Sequence, residues 1–138
     1  MSKLEQVRDT HYEGINKHDL DLAASMIADD VVTVTPQGET KGLAAFREFG
    51  DAFLSASPDA AIRADATYEV GDTIITEGVY SGTHTGDLAT PDGPIPPTGR
   101  KFSFAFVDIM QVADGKVVNH RIYWDNLGFM AQLGLVPG

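Results

Sequence analysis

The chain has 138 residues, 43% of them hydrophobic and 22% charged, proportions that suit a folded globular chain and argue against disorder. Lys and Arg total 10 against 20 Asp and Glu, for a net charge of -10, so neither nucleic acid nor an anionic membrane is an expected partner. The absence of cysteine removes disulfides, thiol catalysis and thiolate metal sites.

The opening MSKLEQVRDTHYEG has no apolar stretch of the signal-peptide kind, and no run approaches the roughly 20 apolar residues of a membrane span. A cytoplasmic location is the resulting expectation, with residues 1–138 forming a single domain.

Helical spacing of Leu4, Val7, Arg8, His11, Tyr12 and Ile15 predicts a helix over 3–17. A turn at Asn16–Asp19 follows, with Asp19 a candidate N-cap for a second short helix over 20–28 that Asp29-Asp30 ends. Val31–Thr35 is β-branched and reads as a short strand closed by Pro36-Gln37-Gly38. A third helix is predicted over 42–56, its apolar face made by Leu43, Phe46, Phe49, Phe53 and Leu54.

Strands follow. Ala61–Val70 and Thr73–Thr85 form a hairpin about Gly71-Asp72. Residues 86–99 are rich in Gly and Pro and make the longest loop, a class often functional. Lys101–Val112 alternates, with Phe102, Phe104, Phe106, Asp108 and Met110 on one face. Asp114-Gly115 is a hairpin signal, Lys116–Trp124 a last strand, and Asn126–Leu133 a closing helix. The order predicts an α+β fold with the helices on one face of a bent sheet.

Three stretches carry a resemblance to a known family. YEGINKHDLDLAASMIADDVV resembles the start of nuclear-transport-factor-2-like proteins, the superfamily of ketosteroid isomerase. GTHTGDLATPDGPIPPTGR, with DGKVV and YWDNLGFMAQLG, is similar to the SnoaL-like polyketide cyclase or ester cyclase branch. The resemblance implies a cone-shaped α+β barrel, a strongly curved antiparallel sheet wrapped around the N-terminal helices, and a pocket for an apolar small molecule. It also implies a homodimer and chemistry that needs neither metal nor organic cofactor.

The implied reaction is aldol-type cyclisation or isomerisation of a polyketide-like carbonyl compound, with Asp125 in YWDNLG at the position of the acid/base residue. A carboxylate in an apolar pocket has a raised pKa and can move a proton alpha to a carbonyl. Ketosteroid isomerase pairs such a base with oxyanion donors; here the candidates are Tyr12, Tyr80, His84 and Tyr123. Two readings of Asp125 stay open, because it directly precedes a helix and suits an N-cap. Strict alternation with His120, Ile122 and Trp124 facing inward also sends Asp125 outward unless a bulge, or the strand ending at Trp124, turns it in.

His84, between glycines, reads as an assisting acid/base or as a residue that orients the long loop. His120 suits ligand or Asp125 orientation, or a satisfied core position. Asp108 on an aromatic face needs a partner, Arg121 or Lys101, or is a second pocket acid. Asp108, Arg121 and Asp125 together suggest an alternative, activation of water for epoxide opening; ligand binding without catalysis is another.

Phe53, Phe104, Phe106 and Trp124, with Phe46, Phe49 and Phe102, line a pocket or fill a core. No phosphate-binding glycine loop, nucleophile elbow or His-x-x-x-His pair is present. Val107 and Ile109, apolar on the face opposite the phenylalanines, are the feature that favours a dimer.

Overall fold

The computed structural model describes residues 2–136. The chain opens with α1 (Lys3–Asn16), started by the Ser2 hydroxyl, which accepts the Glu5 N–H at 3.0 Å. Asp19 caps α2 (Leu20–Ala24) in the same way, accepting the Leu22 N–H at 3.0 Å. Strands β1 (Ile27–Thr35) and β2 (Gly38–Lys41) pair as a hairpin, and α3 (Leu43–Ala56) crosses back over the sheet. Four long strands follow: β3 (Ala61–Val70), β4 (Thr73–Thr83), β5 (Lys101–Ala113) and β6 (Lys116–Trp124), before α4 (Asn126–Gln132).

The six strands form one curved sheet in the order β2-β1-β6-β5-β4-β3. The expected α+β fold, helices on a strongly curved sheet, is what forms; every pairing is antiparallel except β1 with β6, which is parallel, so the sheet is mixed rather than purely antiparallel. The sheet does not close, and β2 and β3 remain its edges.

Local differences from the sequence reading have local causes. The second helix is one short turn rather than nine residues, because Ile27, 1% exposed, is drawn into β1 against Val117. The polar edge strand GETK carries no apolar alternation and is invisible to periodicity. The strand read as 73–85 stops at Thr83, where His84 leaves the ladder.

Alternation sets the inner face. Ile74, Thr76, Gly78 and Tyr80 of β4 point inward, as do Phe102, Phe104, Phe106, Asp108 and Met110 of β5. Asp114 and Gly115 both have positive φ, as a two-residue turn between twisted strands requires, and a one-residue shift of β6 between Val117 and Asn119 then sets the rest of the β5–β6 register. That register sets Met110 opposite His120 and Asp108 opposite Ile122.

Gly14 decides how tightly the helices sit. A Cβ there would lie 2.2 Å from the Ala23 backbone nitrogen, so only glycine lets α1 and α2 approach this closely. Gly14→Ala should destabilise the protein by about 1–3 kcal/mol, the usual cost of overpacking. Urea unfolding checks this, and an unchanged midpoint would show that the contact is slack.

Candidate active site

The three N-terminal helices and the inner sheet face enclose a cavity with about 700 Å³ of atom-free space, its mouth included. Its walls are aromatic and aliphatic: Phe46, Phe49 and Phe53 from α3, Phe104 and Phe106 from β5, Trp124 from β6. Half-buried Ile15, Leu20, Gly50 and Leu54 form its partly solvent-exposed side. Against this apolar surface stand four polar side chains, those of His11, Tyr80, Asp108 and His120.

Asp108 is the one carboxylate on the wall among the described residues, and it is 2% exposed. The Tyr12 hydroxyl donates to its Oδ2 at 2.6 Å, reaching from α1 across to β5. His120 Nε2 lies 2.8 Å from its Oδ1, although the imidazole N–H is not aligned with that oxygen and no hydrogen bond is formed. The partner expected from Arg121 or Lys101 is therefore replaced by Tyr12 and His120. Burial opposes ionisation of Asp108, but the His120 charge and contact, the Tyr12 hydroxyl and His11 together hold its carboxyl below the ordinary carboxylate range. The Tyr12 hydroxyl is pushed well above the usual phenol range by burial and by the Asp108 charge, so it stays a donor.

Behind this pair lies Arg8, 5% exposed. Its guanidinium donates to Thr76 Oγ1 at 2.9 Å and Thr67 Oγ1 at 3.0 Å, and stands 5.6 Å from the centre of the Tyr12 ring. Thr76 is the residue that pairs with Asp108 across β4 and β5. The Arg8 charge itself is paired with Asp9, its Nε donating to Oδ1 at 2.7 Å, so that Arg8 ties α1 to the β3 and β4 threonines beneath Tyr12.

His11 sits beside His120, ring centres 5.9 Å apart, and its Nδ1 is 2.6 Å from the Ala23 carbonyl. Its pKa falls from the ordinary 6.5 to about 4, through burial first and then the His120 charge. Tyr80 contributes a buried hydroxyl with no partner among the described residues, its phenol pKa raised by burial and by Asp59.

The expected site residues divide cleanly. Phe53, Tyr80, Phe104, Phe106, Asp108, His120 and Trp124 line the cavity. Tyr12 acts on Asp108 without being part of the wall. Tyr123 does not reach the cavity: it faces outward between Arg121 and Asp125 and is 42% exposed.

Asp125 is also displaced from its expected place. β6 ends at Trp124 and its register is unbroken from Asn119 to there, yet Asp125 is exposed, and its Oδ1 accepts the Gly128 N–H at 2.8 Å and caps α4. The Asp108–Arg121–Asp125 grouping does not exist, since Arg121 is exposed and donates to Asn119.

His84 is buried but stands off the cavity. Its Nδ1 accepts the Thr98 N–H at 3.3 Å, and its backbone bonds Gly99 and Arg100. It therefore ties down the 86–99 loop, which is further pinned by the buried Leu88 and its ladder with Ile95.

Residues missed in the sequence include His11 and Ile122 on the wall. The helical spacing of His11 with Val7 and Ile15 marked an inward face but not a functional one.

A family model described as SnoaL-like polyketide cyclase matches residues 5–133. The chain belongs to the SnoaL-like polyketide cyclase family. One relative in that group, the nogalonic acid methyl ester cyclase of Streptomyces nogalater, is 41% identical over 56 residues, which are 41% of this chain and 39% of the relative. The match thus spans about two fifths of that protein's length. Among solved structures, AclR of Streptomyces galilaeus superposes with a TM-score of 0.85 at 22% identity, over 100% of this chain and 89% of the other. IdmH of Streptomyces antibioticus superposes with a TM-score of 0.78 at 26% identity, over 96% and 99%. The family match thus covers residues 5–133, and the likeness in fold extends well beyond the stretch aligned with the Streptomyces nogalater relative.

His11 makes stability depend on pH. Its folded-state pKa lies below its unfolded one, so the unfolded chain binds the proton first as pH falls. This contribution is complete above the ordinary 6.5 and is lost progressively down to about 4. Relative to a His11→Phe variant, the wild type should lose about 3 kcal/mol across that window. Chemical denaturation at several pH values checks this, and parallel curves for the two proteins would contradict it.

Proposed function

We propose that this SnoaL-like protein is a cofactor-independent cyclase that closes a ring in an apolar, polyketide-like carbonyl compound by intramolecular aldol addition. The observation that carries this reading is the Asp108–His120 contact within an otherwise apolar cavity. With Nε2 toward the carboxylate, His120 keeps Nδ1 buried and without a hydrogen-bond partner among the described residues. That nitrogen is the base in this reading.

It takes a proton alpha to a carbonyl, and the imidazolium so formed is stabilised by Asp108 beside it. The resulting carbanion attacks a second carbonyl, one C–C bond forms, and the imidazolium returns the proton to the alkoxide. No redox partner or leaving group is needed. Asp108, held ionised, is the charge that supports His120 rather than the proton carrier itself.

Tyr80 has a separate part. It lies four residues along β4 from Thr76, the partner of Asp108, which is about 13 Å of strand. Its free hydroxyl suits a remote oxygen of the substrate and sets the orientation of the ring system between Phe53, Phe104 and Trp124. The apolar walls exclude water from the carbanion. The name of the Streptomyces nogalater relative supports nogalonic acid methyl ester as the first substrate to assay.

The protein also acts as a homodimer in this reading. Among the described residues no helix covers the outer face of β3 to β6, where Tyr68 and Val70 are 53% and 67% exposed beside Ile75, Ile109, Val107 and Tyr123. Light scattering at micromolar concentration should give twice the chain mass, and a monomer would refute the dimer. A cytoplasmic location accords with this reading; among the described residues no helix is long and apolar enough to cross a membrane.

Asp108→Asn should reduce turnover of nogalonic acid methyl ester at least 100-fold, and Asp125→Ala should keep turnover while costing about 1 kcal/mol of stability through the lost cap. Product formation by chromatography and thermal unfolding measure the two. Retained activity in Asp108→Asn, or its loss in folded Asp125→Ala, would overturn the assignment.

A further inference from the structure

The second cavity histidine, His11, has a geometry that constrains the ligand. Its Nδ1 lies 2.6 Å from the Ala23 carbonyl oxygen, and a carbonyl only accepts, so Nδ1 carries the hydrogen. The glycine at position 14 makes this bond reachable by bringing α2 against α1, and the bond fixes the ring plane. Phe46 and His120 pack against the ring, at centre distances of 5.5 Å and 5.9 Å.

With Nδ1 occupied, a neutral ring leaves Nε2 as a lone pair. That atom makes no hydrogen bond among the described residues and, unlike the fully sealed nitrogens of His120, is open to the cavity that His11 lines. Burial favours the neutral ring. An acceptor held in an apolar enclosure is poorly served by water and strongly favours a ligand that offers a donor.

We infer that His11 Nε2 is a fixed hydrogen-bond acceptor for a hydroxyl of the ligand, so that the site selects phenolic or enolic compounds over their O-methylated counterparts. The inference rests on the cavity being the substrate site and adds what that substrate must carry. Tyr80, a buried donor without a partner, fits an acceptor oxygen elsewhere on the same molecule. The two groups together read a ligand with a hydroxyl at one end and a carbonyl or ether oxygen at the other. His11 is a specificity determinant here and takes no part in the proton transfer assigned to His120.

The test uses 1-naphthol and 1-methoxynaphthalene, which share one aromatic frame and differ in the donor. Fluorescence titration of the wild type should show naphthol binding at least 10-fold more tightly. His11→Phe should erase that preference and leave methoxynaphthalene binding as tightly as before.

Nitrogen-15 NMR of the imidazole on the wild type provides the second measurement. It should report the Nδ1–H tautomer in the free protein and an upfield shift of Nε2 on adding naphthol. Equal binding of the two probes, a preference that survives His11→Phe, or an Nε2–H tautomer would overturn the inference while leaving the cyclase reading intact. Failure of both probes to bind would overturn the cavity as ligand site, and the inference with it.

Discussion

A carboxylate buried in an aromatic enclosure is costly unless other groups hold its charge, and Asp108 is in that position. The Tyr12 hydroxyl, the His120 ring and, beside them, His11 supply the compensation. They come from α1 and from β6, so the charge on β5 is tolerated only when these parts are assembled. Helix α1 must lie on the sheet to deliver Tyr12 and His11, and the β5–β6 register must hold to place His120. The glycine contact between α1 and α2 and the tight Asp114-Gly115 turn serve that assembly at a distance. Folding and the charge state of the site are thereby linked.

Much of this was legible in the sequence because it is local. The β3–β4 and β5–β6 hairpins follow from two-residue periodicity and from turn residues, and the helices from spacing and caps. Asp108 also declared itself, as an acidic residue in register with three phenylalanines. What escaped depends on long-range pairing. The parallel β1–β6 contact joins residues about ninety positions apart, and nothing in β1 alone announces a parallel neighbour.

The site was legible in composition and only partly in assignment. Resemblance placed the acid/base role at Asp125, whereas alternation along β6 already argued that this side chain faces outward, and geometry agrees with alternation. His84 had the chemistry of a catalytic residue but serves the loop. His11 was hidden because a helical stripe shows which side faces inward without showing which inward residue meets open space. Conversely, the SnoaL-like frame is recognisable over residues 5–133, while the reaction depends on a handful of wall residues that a shared fold does not specify.

The most direct measurement of the central claim is the ionisation of Asp108 itself. Carbon-13 NMR of aspartate-labelled protein, with Asp108→Asn used to assign the resonance, follows that carboxyl from pH 8 downward. The account predicts an ionised signal that does not titrate until below the ordinary carboxylate value of 3.8. A midpoint at or above that value would contradict it, since the Tyr12 and His120 contacts could not then be holding a buried charge.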